Sequence, residues 1–405
     1  MSKKVLVIAY YFPPMGMGGV RRVVSFCKYL PQKNWSPIVL SVKNIKYFIN
    51  DDSFLREINY PVVRTESADP LRLLKSFNLK TNKKNVSSSF HKLSSFMFIP
   101  DNKIGWFPYA LKSGLNLIKK HKPDVIFASA PPYTSLLIGY YLKKLTKLPL
   151  VVEFRDPWPY SSYPTFLHKK INESLKTKVL KPADAVITIN KVISKNLPPN
   201  TIIIPPGYDP DDFINKNTHK PSSKHKFTIT YTGSFFPPRT PEYFLKALSE
   251  LTIENPSLSE DIKLELIGLH STQEQETIKK LNLENIVEII PYLPHNECIQ
   301  KLIASDLLWI MIDNVEDTAS TGKIGEYLGA GKPILATVPE GPCADIINET
   351  RTGMVVPPRD IQAIKKAIYD FYLKYKSKSH QTGKPESYSW QNLTSKLTDI
   401  FDSLT

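Results

Sequence analysis

Val5-Leu6-Val7-Ile8-Ala9-Tyr10 runs straight into Tyr11-Phe12-Pro13-Pro14-Met15-Gly16-Met17-Gly18-Gly19-Val20-Arg21-Arg22, and helical spacing follows from Val20 to Leu30. The apolar run reads as a strand buried on both faces, and the strand–turn–helix order as the first unit of a parallel α/β sheet. Glycines let the backbone pass close to a ligand, and the next helix N-terminus offers free N–H groups and a positive dipole end. Gly18 and Gly19 are therefore candidate residues of an anion or sugar cradle. The turn is not a G-x-G-x-x-G and lacks the Walker lysine, which argues against dinucleotide binding and against a P-loop. A purely structural role for its glycines stays equally open.

The same alternation continues along the chain. Further strands are expected at Ile38–Ser41, Val125–Ala128, Val151–Phe154, Val186–Ile189 and Ile202–Ile204, and helices at Tyr109–Lys120, Tyr133–Thr146 and Lys169–Leu180. After Pro205-Pro206-Gly207 and the polar stretch from Asn215 to Lys226, strands resume at Phe227–Tyr231, Lys263–Ile267, Val287–Ile290, Leu307–Ile312, Ile334–Ala336 and Met354–Val356. Two sets of strands predict two Rossmann-like doubly wound domains, 1–206 and 207–387, with ligands at the carboxyl ends of the strands in a cleft between them. No internal repeat is evident.

Composition narrows the function. At 405 residues and 41% hydrophobic content the chain can bury a large core. Three cysteines, Cys27, Cys298 and Cys343, lie far apart without metal-ligand spacing, which points to reduced thiols and to neither disulfides nor zinc. The first apolar stretch is too short for a signal-peptide core, and no window approaches the roughly 18–20 apolar residues of a membrane span. A cytoplasmic protein is expected, at most peripheral on the inner face of the cell membrane.

The net charge of +15 calls for an anionic partner. Between Leu71 and Pro100, Arg72, Lys75, Lys80, Lys83, Lys84 and Lys92 alternate with Leu73, Leu74, Phe77, Leu79, Phe90, Leu93, Phe96, Met97 and Phe98, with no acid among them. Basic and apolar residues together suit an anionic membrane surface; the alternative is a loop packed on its domain under a lysine-rich composition. No nucleic-acid-binding motif accompanies the charge, so nucleic acid is not expected as a partner.

A second candidate site is Thr318-Ala319-Ser320-Thr321-Gly322-Lys323-Ile324-Gly325-Glu326-Tyr327-Leu328-Gly329-Ala330-Gly331-Lys332-Pro333, between two strands. Ser320, Thr321 and Gly322 can open a helix whose N–H groups face a phosphate, with Lys323 in its first turn. Glu326 shares the face of Lys323 and can accept two hydrogen bonds from a ribose diol. The alternative is an exposed Lys323–Glu326 pair at i,i+3.

Over nearly the whole chain these residues resemble the family 4 glycosyltransferases of GT-B fold, retaining transferases that take a nucleotide-sugar donor without a metal. The resemblance rests on Pro13–Arg22, Glu153-Phe154-Arg155-Asp156-Pro157-Trp158, Tyr231-Thr232-Gly233-Ser234 and Lys323–Pro333. It implies that Glu326 is the second acid of an E-x7-E motif and binds the donor ribose. The first acid falls at Thr318, a departure that leaves Asp317 or backbone N–H groups to meet the sugar. Gly233, Ser234 and Arg239 match the region that approaches the donor phosphates, although Arg239 also reads as a solvated loop residue.

Arg155 and Asp156 match a strand end near the reacting sugar. They are the candidate catalytic residues, with Asp156 orienting or deprotonating the acceptor hydroxyl; an Arg155–Asp156 pair bracing the turn is the rival reading. Ser129–Thr134 should line the same cleft, and a terminal helix within 388–405 should rejoin the first domain. The function implied is sugar transfer, with retention, from a nucleotide-sugar to a glycan or polyprenyl-linked acceptor in cell-envelope polysaccharide synthesis, with no metal or cofactor. Two rivals remain: a GT-B-shaped nucleotide-sugar epimerase, and a catalytically silent subunit that binds nucleotide or protein.

Overall fold

The structure is a computed structural model that describes residues 2–16, 18–43, 50–69, 98–159, 165–214, 225–235, 239–313, 322–379 and 383–405. Most of the basic, apolar segment at 71–100, the linker at 215–224, and Asp317, Thr318, Ser320 and Thr321 lie outside the described residues. The chain divides into two compact units, 1–205 with 391–405, and 206–390.

The first unit holds a seven-stranded parallel sheet made of β1 (Lys3–Ile8), β2 (Trp35–Val42), β3 (Val62–Thr65), β4 (Val125–Ala130), β5 (Leu150–Phe154), β6 (Ala185–Thr188) and β7 (Ile202–Ile203). Their order is β3-β2-β1-β4-β5-β6-β7, doubly wound with its reversal between β1 and β4. Val5 to Ile8 are fully buried, as a strand covered by helices on both faces requires. Strand β3 was not expected from the sequence. It is a half-buried edge strand, and Arg64 interrupts its short apolar run. Helix Trp390–Leu404 packs into this unit through Leu393, Leu397 and Phe401 at i, i+4 and i+8, Phe401 meeting Trp35 edge-on at 5.1 Å.

The second unit holds six parallel strands, β8 (Phe227–Thr232), β9 (Ile262–Ile267), β10 (Val287–Ile290), β11 (Leu307–Met311), β12 (Ile334–Thr337) and β13 (Gly353–Val356), ordered β10-β9-β8-β11-β12-β13. Alternation along β11 sends Leu307, Trp309 and Met311 into one core and Leu308 and Ile310 into the other. Helix Gly322–Ala330 buries Ile324, Tyr327 and Leu328 against the latter, which fixes the rotation of the helix and hence the direction of Lys323 and Glu326. Gly325 permits this seating, because a Cβ there would collide with the Gly207 carbonyl. Each of the two sheets is parallel with helices between its strands, the doubly wound α/β unit expected from the sequence.

Candidate functional site

In the second unit the site is built at the end of β8. Gly233 has φ +127°, a conformation only glycine holds without strain, and a Cβ there would also collide with Lys323 Nζ. The floor is aromatic: Tyr231 stacks on Phe235 at 4.5 Å and lies 5.0 Å from Trp309. The Lys323 ammonium sits 4.5 Å over the Tyr231 ring and donates to the Tyr231 hydroxyl at 3.3 Å. No carboxylate lies within ion-pair distance of it among the described residues.

Burial pulls the Lys323 pKa down to about 8, and the positive charge of Arg239 adds to the shift while Glu326 and Cys298 oppose it. Two cations thus converge beside a helix with no acid in its first turn. Ser234 Oγ accepts from Leu269 N–H at 3.0 Å, tying the β8 loop to the β9 loop. Gly322 opens the helix and is exposed.

Glu326 does not pair with Lys323. Its Oε1 lies 3.6 Å from His295 Nδ1, and His295 Nε2 lies 3.0 Å from Asp212 Oδ2. Sequence reasoning read Tyr231 only as part of the stretch Tyr231–Ser234 and passed over His295 and Asp212. It also missed His270, whose ring nitrogens are enclosed beside Phe235 and meet no well-formed hydrogen-bond partner among the described residues. Burial is the main cause that holds the His270 imidazole below the ordinary histidine range; Glu274 opposes it and the Lys323 charge reinforces it. None of these residues carries a motif of its own.

In the first unit the expected residues gather at the ends of β1, β4 and β5. Helix Gly18–Tyr29 begins at the two glycines and has no acid in its first turn. Arg155 is a brace: Nε donates to the Ala130 carbonyl at 3.1 Å, one terminal nitrogen to Gly19 at 2.6 Å and the other to Pro131 at 3.0 Å. The bracing expected of an Arg155–Asp156 pair is carried instead by these carbonyls, and half-buried Asp156 stands close enough to Tyr11 to disfavour its phenolate.

Arg22 is buried and wholly matched, Nε to Glu153 at 2.7 Å and its terminal nitrogens to the Pro205 and Ile204 carbonyls, each at 2.9 Å. In the Ser129–Thr134 segment, Ser129 donates to the same Glu153 at 2.5 Å, and the Thr134 N–H and hydroxyl bond to Asp101 at 3.0 and 2.8 Å. Among the described residues no cluster of His, Cys, Asp or Glu could hold a metal ion, and no helix is long and apolar enough to cross a membrane.

Residues 212–385, somewhat under half of the chain, match the family model of glycosyl transferases group 1. No curated protein matches the chain in sequence. Similar solved structures include a glycosyltransferase from Rickettsia africae, 18% identical with a TM-score of 0.67, covering 100% of this chain and 98% of that one. Anabaena HepE in complex with UDP-glucose is 15% identical at a TM-score of 0.61, covering 99% and 98%. The lipopolysaccharide outer core galactosyltransferase WaaB is 13% identical at 0.60, covering 99% of each chain. At these identities the likeness speaks for the fold.

Proposed function

We propose that this protein is a glycosyltransferase that takes a nucleoside diphosphate sugar as donor and holds it on the second unit. The observation that carries the reading is Lys323, a half-buried ammonium with no carboxylate in contact among the described residues and a second cation, Arg239, within electrostatic reach. Folding a lysine into such a place has a cost that a bound diphosphate offsets. The family match supports the reading, since it spans Gly233, Ser234, Arg239, Lys323 and Glu326. So does the fold likeness to HepE, a protein solved with UDP-glucose.

In this reading the leaving diphosphate is stabilised by Lys323, Arg239, the Ser234 hydroxyl and the N–H groups at the start of the helix Gly322–Ala330, where Gly233 lets the chain come close and the sequence adds Ser320 and Thr321, with no metal ion required. Glu326 accepts the donor ribose hydroxyls. For Gly18 and Gly19 a part in donor binding, and for Asp156 the orienting of the acceptor hydroxyl, are proposed from the sequence. Arg155 acts on the reaction by fixing the loops at Gly19, Ala130 and Pro131. Transfer is of a hexosyl group with retention, onto a glycan or polyprenyl-linked acceptor of the cell envelope. The basic segment 71–100 provides peripheral attachment to an anionic membrane; if neutralising its lysines left liposome binding unchanged, that attachment would be withdrawn.

The test is product analysis with UDP-, GDP-, dTDP- and ADP-sugars, with and without lipid-linked glycan acceptors. The reading expects nucleotide release that depends on acceptor and yields a glycosylated product with the donor's anomeric configuration. Donor turnover without acceptor would identify an epimerase instead. Binding with no turnover under any condition would identify a silent subunit.

A further inference from the structure

Asp212, His295 and Glu326 come from three separate elements: the short 3-10 turn Pro210–Phe213, the first residue of helix His295–Ala304, and the second turn of helix Gly322–Ala330. Packing of these elements brings His295 Nε2 to 3.0 Å from Asp212 Oδ2 and Nδ1 to 3.6 Å from Glu326 Oε1. Exposure rises outward along the row, from buried Asp212 and His295, at 9% and 8% of their side chains, to Glu326 at 23%.

A buried imidazole aimed at two carboxylates is an expensive way to fill space, because each polar group must be matched once it leaves water. One ring nitrogen lies within hydrogen-bond distance of the Asp212 carboxylate, and the other faces Glu326. The longer separation on the Glu326 side is an electrostatic contact and not a hydrogen bond, so that carboxylate keeps its acceptor capacity for something else.

We infer that Asp212 and His295 are positioning residues that hold the Glu326 carboxylate in one orientation, ready to accept both hydroxyls of a ribose. The inference rests on the donor-site reading above and adds the device that makes Glu326 selective. A glutamate on a helix surface samples several rotamers, and ordering it on binding reduces the affinity gained from the hydrogen bonds it makes. An oriented carboxylate is ordered before the ligand arrives. The buried Asp212 anchors the imidazole, and the imidazole fixes the acid.

The test is calorimetric binding of UDP, GDP and ADP and of their dideoxy counterparts to the full-length protein. Wild type is expected to prefer the ribose form of its nucleotide by about tenfold or more, the discrimination typical of hydrogen bonds to a charged group. In His295→Gln this preference shrinks to within about twofold, while the dideoxy form, held through its phosphates, binds as in wild type. Glu326→Gln behaves the same way, and the double variant loses nothing further.

Equal weakening of both forms in His295→Gln, with the preference intact, would overturn the inference and leave His295 as packing. Should His295→Gln fail to fold, Asp212→Asn is near-isosteric and gives the same readout: a reduced preference at unchanged dideoxy affinity supports the row, and an undiminished preference overturns it. A wild type that binds no nucleoside diphosphate, or prefers neither form, would sink the donor-site reading and this inference with it. A wild-type preference that survives in His295→Gln sinks only the inference.

Discussion

Both units place basic side chains at the carboxyl ends of their central strands, and they satisfy them differently. Arg22 in the first unit has a carboxylate and two carbonyls for its guanidinium, and Arg155 has three carbonyls. Lys323 in the second unit has one phenol hydroxyl at 3.3 Å and the face of its ring. The first pattern is bracing: the cations knit the strand-end loops together and their charge is used up inside the fold. In the second, no carboxylate among the described residues meets the ammonium, and in the proposed reading its partner comes with the donor. A basic residue at a strand end therefore says little about binding until its donors have been matched to acceptors one by one.

The largest effect that would sharpen this contrast comes from Glu153→Gln. It leaves the Arg22 charge buried without a counter-ion, and a loss of about 3–5 kcal/mol of stability is expected, seen as a lower melting temperature. Lys323→Met should act with the opposite sign on stability. The apoprotein should be as stable as wild type or more so, while nucleoside diphosphate affinity falls about tenfold to a hundredfold by titration calorimetry. A Lys323→Met protein that unfolded as readily as Glu153→Gln would make Lys323 another brace and erase the distinction.

The pH dependence follows from the same lysine. Its pKa in the folded protein is lowered to about 8, whereas the unfolded chain keeps an ordinary lysine. The cost of burying the charge is therefore fully present below about pH 8 and is relieved as pH rises from there toward the ordinary lysine value. Nucleotide binding runs the other way, because the diphosphate favours the ammonium. Affinity should be level below about pH 8 and fall above it by less than tenfold over the first unit. Lys323→Met should show neither trend.

Ser234→Ala is the mildest change. The Leu269 N–H loses an exposed acceptor that water can replace, so stability should drop by at most about 1 kcal/mol and nucleotide affinity by about fivefold or less. A larger loss of affinity would move the main anion contact from Lys323 to the β8 loop.

The central strands, buried on both faces, are legible in sequence because their whole length is apolar, and the partly exposed edge strands β7, β10 and β13 were expected as well from their short apolar runs. Strand β3 escaped because an edge strand exposes one side, and Val62-Val63-Arg64-Thr65 offers too short an apolar run. Lys323 and Glu326 were legible because they sit in one contiguous motif. Asp212 and His295 were not, since 83 residues separate them and only the packing of three elements brings them to Glu326.

Arg155 shows a different limit. Its place at the end of β5 could be read, whereas the direction of its N–H groups depends on carbonyls contributed by the turns after β1 and β4. Ser320, Thr321 and the departure at Thr318 fall outside the described residues, so their part in the site rests on the sequence.

The most direct test of the central claim, that Lys323 is a cation awaiting a diphosphate, is a thermal-shift comparison of wild type and Lys323→Met across UDP-, GDP-, dTDP- and ADP-sugars without added metal. A ligand that binds only the folded state raises the melting temperature by mass action. The account predicts that one nucleotide class stabilises wild type, that the shift is lost in Lys323→Met, and that the unliganded variant melts no lower than wild type. Equal stabilisation of both proteins, or none of wild type by any donor, would contradict it.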